Sequence, residues 1–171
     1  MITDLVQIER LGEKKRKENE ALRRHMKIHD LPERRLRKIA EEIEGQIDCT
    51  ACANCCRVAT AQLIERDVER LAKQFRLSLE AFKKQYTIED REEGLILKRD
   101  DKTGCVFLDG NTCTIYDSRP ASCENFPHLV RGQGSIPARM WQLIDRATYC
   151  PIVYNTLEAF KPAVGFKTAL K

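Results

Sequence analysis

Apolar residues recur at helical intervals along the first third of the chain. Leu5, Ile8 and Leu11 fall three apart, and Leu22 with Met26 resumes the stripe after a polar middle. This predicts an amphipathic helix that Gly12 weakens or breaks. Asp30-Leu31-Pro32 is a stop and restart signal. Leu36, Ile39, Ala40, Ile43 and Ile47 then form a second stripe. Residues 1–47 therefore read as an antiparallel helical hairpin. Its apolar face needs a surface to cover: the rest of the chain, a protein partner or a second copy.

Farther along, the pattern shortens. VATAQLI, beginning at Val58, reads as extended, and Val68, Leu71, Ala72 and Phe75 mark another amphipathic helix. Ser78 is placed to cap a short helix carrying Leu79, Phe82 and Tyr86. GLILKR (residues 94–99) reads as a strand, and CVFLDGNTCTIY (residues 105–116) as a hairpin turning at Asp109-Gly110-Asn111. Arg119-Pro120 opens a helical turn, since proline is favoured at the first helical position. Periodicity alone leaves RMWQLIDRA, from Arg139, open between helix and strand, and Ile152 to Phe160 reads as a final helix. The expected fold is α+β and mainly helical, with a small antiparallel hairpin or sheet joined by loops. The expected division is an N-terminal helical extension (1–47), a cysteine-cluster domain (48–161) and a tail (162–171).

Composition adds the chemistry. The chain has 171 residues, and eight of them are cysteine. The N-terminus holds Asp4 and Glu9 and has no long apolar run, so neither a secretory signal nor a membrane span is expected. A cytoplasmic setting follows, where thiols stay reduced and structural disulfides are disfavoured. The net charge of +4 comes from nearly balanced signs. Lys14-Lys15-Arg16-Lys17 is interleaved with Glu13, Glu18 and Glu20, which marks a solvated helix face rather than a nucleic-acid patch. No base-stacking aromatics accompany it.

Four of the thiols crowd into CTACANCC: Cys49, Cys52, Cys55 and Cys56. A Cys-x2-Cys turn brings two sulfurs to one metal, and three thiols at that repeated step suit an iron–sulfur cluster. Adjacent side chains diverge, so Cys55 and Cys56 do not serve one ion equally. The pair implies a second site, or one ligand beside a buried thiol. Cys105 and Cys113 flank the expected hairpin turn, Cys123 lies on the turn after it, and Cys150-Pro151 matches the Cys-Pro that closes ferredoxin-like motifs. No second Cys-x2-Cys follows, so a zinc ribbon does not fit. The alternative for any single distal cysteine is a small buried hydrophobe. His25 and His29 stand four apart among Arg23, Arg24 and Lys27, whose charge disfavours a cation, whereas His128 is better placed as a ligand or donor. Arg57 and Arg119 are candidates to offset thiolate charge.

CTACANCCR followed by CVFLDGNTCTIYDSRPASCENFPH resembles the YkgJ-type CxxCxxCC cysteine-cluster family, a zinc- or iron-chelating domain. The matching positions are Cys49, Cys52, Cys55, Cys56, Cys105, Cys113, Arg119, Pro120, Cys123, Phe126 and Pro127, within residues 48 to 151. The resemblance implies a metal-chelating domain, and Cys150, through its Cys-Pro step, joins the expected thiol ligands of an iron–sulfur cluster or zinc. Flagellin lysine methylases are similar in their cysteine signature, which makes a methyltransferase-like enzyme the alternative. No GxGxxG loop follows a strand to support that alternative. The reading is a metal-binding protein with an electron-transfer, metal-handling or scaffold role, iron–sulfur being preferred to zinc on spacing.

Overall fold

Asp4 starts the first helix by accepting the Gln7 N–H at 2.8 Å, which satisfies one of the amides a helix N-terminus leaves free. In the computed structural model, which describes residues 1–132 and 134–167, the chain order is as follows. Helices α1 (Leu5–Lys14), α2 (Arg16–His29), α3 (Glu33–Glu44), α4 (Cys49–Cys52), α5 (Asn54–Val58), α6 (Glu65–Phe75) and α7 (Leu79–Tyr86) come first. Strands β1 (Thr87–Asp90), β2 (Gly94–Leu97), β3 (Arg99–Asp100), β4 (Gly104–Cys105), β5 (Leu108–Asp109) and β6 (Thr112–Cys113) follow. A 3-10 turn (Tyr116–Ser118) leads to α8 (Ala121–Glu124), α9 (Ile136–Arg146) and α10 (Pro151–Ala163). Mainly helical α+β is thus the architecture, its strands paired into small antiparallel two-stranded sheets. Among the described residues no helix is long and apolar enough to cross a membrane.

The chain forms two compact units. One joins residues 1–48 to residues 127–167 and consists entirely of helices. Its centre is α10, where every residue from Pro151 to Leu157 is buried and which packs on α3 and α1. Gly12 does not end α1. The helix continues to Lys14, because the missing side chain admits Ala147 and Thr148: a Cβ at Gly12 would lie 2.5 Å from the Ala147 carbonyl oxygen. The helix yields at Lys15 instead, leaving α1 and α2 as separate helices. Asp30 closes α2 in the left-handed conformation at φ 45°, with its N–H on the Met26 carbonyl. The ambiguous RMWQLIDRA segment is helical, as α9, which is capped by Ser135 and has a proline in its first turn. Lys161 is 5% exposed; Glu18 at 2.8 Å and Glu158 offset its charge, and Glu158 also pairs with Lys15.

The other unit, residues 49–126, holds α4 to α8 and all six strands. Its core is Leu63, Val68, Leu71, Ala72, Phe82, Leu97, Phe107 and Ile115, with Phe75 stacked on Phe107 at 5.4 Å. Residues 61–63 run extended along β2, as expected, with Leu63 N–H on Leu95 and Leu97 N–H on Ala61. Val58, expected at the head of that extended piece, closes α5 instead. The strand expected at 94–99 divides into β2, which pairs with β1, and β3, which pairs with β4. The hairpin expected over 105–116 also divides. Cys105 belongs to β4 opposite Arg99, and the Gly110-Asn111 turn joins only β5 to β6, with Leu108 opposite Cys113. A turn at residues 106–107 breaks what the sequence reads as one continuous strand.

Candidate metal centre

The CxxCxxCC segment folds as two short helices hinged at Ala53. Cys49 and Cys52 are three apart on α4, so their side chains share a face. Ala53 then turns left-handed at φ 47° with its N–H on the Cys49 carbonyl at 2.9 Å, and α5 restarts with Cys55 and Cys56. Adjacent positions on a helix point about 100° apart. The two thiols remain in hydrogen-bond contact, and that bond brings the Cys56 thiol down to about 7. Burial opposes the shift and the Arg57 charge assists it.

Three other pieces of chain deliver the remaining thiols of this unit. Gly104, at φ 84°, lets β4 lie directly on α5; a Cβ there would sit 2.7 Å from the Cys56 carbonyl oxygen. Cys105 is the next residue. Cys113 stands at the end of β6, and both sulfurs rest against the apolar core. Each sulfur accepts an N–H from the residue two positions on, Phe107 for Cys105 and Ile115 for Cys113. Such amide donors stabilise thiolates held by a metal. Cys123 rides on α8, whose start is tied down by Asp67 and Arg70 of α6. The Asp67 carboxylate is 1% exposed and accepts the Ala121 and Ile64 N–H groups at 3.3 Å, while Arg70 pairs with it at 2.8 Å and donates to the Arg119 carbonyl at 2.9 Å.

Four of these thiols sense one another. Burial pushes Cys105 and Cys113 up, and nearby Cys56 adds to both. Cys123 is pushed up to about 12, first by burial and then by Cys105, Cys56 and Cys113. As bare thiolates, Cys56, Cys105, Cys113 and Cys123 would be desolvated and mutually repelled. A thiophilic cation relieves both penalties, so the donor set fits zinc or iron. Among the described residues, no group of three or more His, Cys, Asp or Glu side chains stands in an arrangement that could hold a metal ion in this structure. None of the eight cysteines is in a disulfide.

The other candidates lie as follows. Cys49 is exposed, and Cys52 and Cys55 are half-buried. Cys150 is buried at the head of α10 in the helical unit, and His128, at φ 66°, belongs to that unit too, its carbonyl held by Arg139 at 2.7 Å. The His25 and His29 rings lie 4.2 Å apart, tilted 47° to each other, with Phe166 edge-on to His25. Arg119 lies 4.0 Å over the Tyr116 ring and holds the Cys113 thiol down against the upward shifts.

Asp67, Arg70 and Gly104 carry no thiol chemistry and were not singled out by motif. A signal for Asp67 was present: an acid beside Val68 and four residues before Leu71 sits on the buried stripe of α6. Replacing Asp67 with alanine leaves buried N–H groups unpaired, each costing roughly 1–3 kcal/mol. The expected loss in denaturant unfolding is about 3 kcal/mol. An Asp67→Asn variant should recover only part of it, because the new amide N–H₂ faces another donor.

No curated protein and no solved structure matches the chain. One family model does, described as "CxxCxxCC: Putative zinc- or iron-chelating domain" and matching residues 48–151. That match takes in the whole thiol-bearing unit and continues through Cys150, covering more than half of the chain. With Cys49, Cys52, Cys55 and Cys56 in the order that names it, the chain belongs to the CxxCxxCC family.

Proposed function

We propose that residues 49–126 chelate iron, as an iron–sulfur cluster, through their cysteine thiolates, and that the protein acts through the bound metal in electron transfer, metal handling or scaffolding. What supports this reading is the family match over residues 48–151, together with Cys105, Cys113 and Cys123 lying within electrostatic reach of Cys56 although they come from separate segments. Cys49, Cys52 and Cys55 add the regularly spaced thiols that favour a cluster over a lone zinc ion. Cys150 belongs to the other unit and is left out of this set. A cluster supplies one-electron redox chemistry, whereas zinc supplies a fixed tetrahedral cross-link. The chain's own contribution is the same in either case: amides from Phe107 and Ile115 orient two sulfurs, and Arg57 and Arg119 offset negative charge.

Protein purified without oxygen is expected to be brown, with acid-labile sulfide and iron in stoichiometric amounts. Colourless protein with stoichiometric zinc and no sulfide would replace iron by zinc in the same cradle. Protein with neither metal would overturn the chelating proposal for this chain.

A further inference from the structure

Arg57 follows Cys56 directly, and its charge lowers that thiol. Its guanidinium nevertheless spends its donors on oxygen atoms. Nη2 donates to the Gly110 carbonyl at 2.7 Å and to Asn111 Oδ1, and Nη1 donates to the Cys52 carbonyl at 3.4 Å. Asn111 donates in turn through Nδ2 to the Ala51 carbonyl at 2.9 Å. Helix α4 is a single turn, so its last carbonyls have no partners within the helix. Two of them, on Ala51 and Cys52, are taken by these side chains. From the opposite side, Arg99 grips the Arg57 and Val58 carbonyls, each at 3.0 Å, which fixes the end of α5.

The result is one connected bridge across three segments: α4 with Cys49 and Cys52, α5 with Cys55 and Cys56, and the turn that leads two residues on to Cys113. We propose that Arg57 and Asn111 are positioning residues for the metal site, a clamp setting the separation between the CxxCxxCC segment and the Cys113 hairpin. The clamp depends on the planar fork of arginine. A lysine would retain the positive charge beside Cys56, but one ammonium on a flexible stem does not replace a planar fork spanning a helix end and a turn. This inference rests on the chelating function proposed above.

The test uses the full chain as wild type, Arg57→Lys, Asn111→Ala and the double variant, each purified without oxygen. Metal release to an excess of chelator is followed with time. Each single variant is expected to release metal roughly 10–100-fold faster, the range typical for lost supports of metal ligands. The double variant should add little to either single one, because both changes cut the same bridge. If Arg57→Lys releases metal at the wild-type rate, arginine acts there by charge alone and the clamp is overturned. Amide hydrogen exchange over residues 49–53 and 109–113 gives a second readout besides metal release. Exchange there should quicken in all three variants as purified. Were the wild type to bind no metal, the chelating function would fall while this measurement still decided the clamp; unchanged exchange would overturn it.

Discussion

Replacing Cys123 with alanine is expected to abolish stoichiometric metal and to unfold residues 49–126. Cys123 sits where Cys56, Cys105 and Cys113 all reach it electrostatically, so its removal opens the middle of the proposed thiol set rather than trimming its edge. A structural zinc contributes on the order of 10 kcal/mol to folding. The apolar core of this unit is eight buried residues, too small to make up such a loss. Metal analysis together with amide exchange would check the result. Protection should vanish across 49–126 and persist in α3 and α10, whose packing involves none of these thiols. A Cys123→Ala protein with full metal content and native protection would remove Cys123 from the site.

Metal affinity is expected to climb by at least about a thousand-fold per pH unit around pH 8. The sign follows from the metal-free thiols. Burial first, and then neighbouring thiols, raise Cys105 and Cys113 above their ordinary range and Cys123 to about 12, so all three are still protonated near pH 8. Cys56, at about 7, has already lost its proton there. Loading these four therefore expels about three protons, any further ligand thiol that is protonated adds to that number, and each proton released contributes one decade per pH unit. As the pH falls below about 7, Cys56 takes up a proton as well and the slope steepens by about one more decade. Chelator competition across this range measures the slope directly, and calorimetry in buffers of different ionisation enthalpy counts the protons. An affinity flat with pH would exclude these thiolates as ligands.

The sequence was most readable where one periodicity ran unopposed. The stripe from Leu36 to Ile43 predicts α3, and Leu36 and Ala40 are indeed its buried residues. Ser78 caps α7 through the Ala81 N–H, as its type and position imply. Strand β1 was illegible because it reads Thr-Ile-Glu-Asp, with Ile88 44% exposed; only pairing with β2 makes it a strand. Gly12 was misread because glycine marks both weak helices and close approaches, and the approaching chain, Ala147, lies far away in sequence. The segment at Arg139 could have been settled by Ser135 and Pro137, a cap and a first-turn proline, rather than by periodicity. Within the thiol set, spacing announced Cys49, Cys52, Cys55 and Cys56. Nothing in spacing foretold that Cys56 would come within electrostatic reach of Cys105, Cys113 and Cys123, since that depends on β4 lying against α5.

The helical unit is assembled from the two flanks of the thiol-bearing one, with Ile2 and Asn155 exchanging hydrogen bonds across 153 positions. During synthesis these contacts cannot form until α10 has left the ribosome, whereas residues 49–126 are contiguous and complete sooner. Nascent α1 and α3 thus wait with Ile8, Leu36 and Ala40 uncovered while the thiols of residues 49–126 are already in place to take up the proposed metal. Long-range closure of this kind is slow. A ribosome stalled before Pro151 should therefore display a metal-loaded, chaperone-bound intermediate: one half finished, the other still waiting for its central helix.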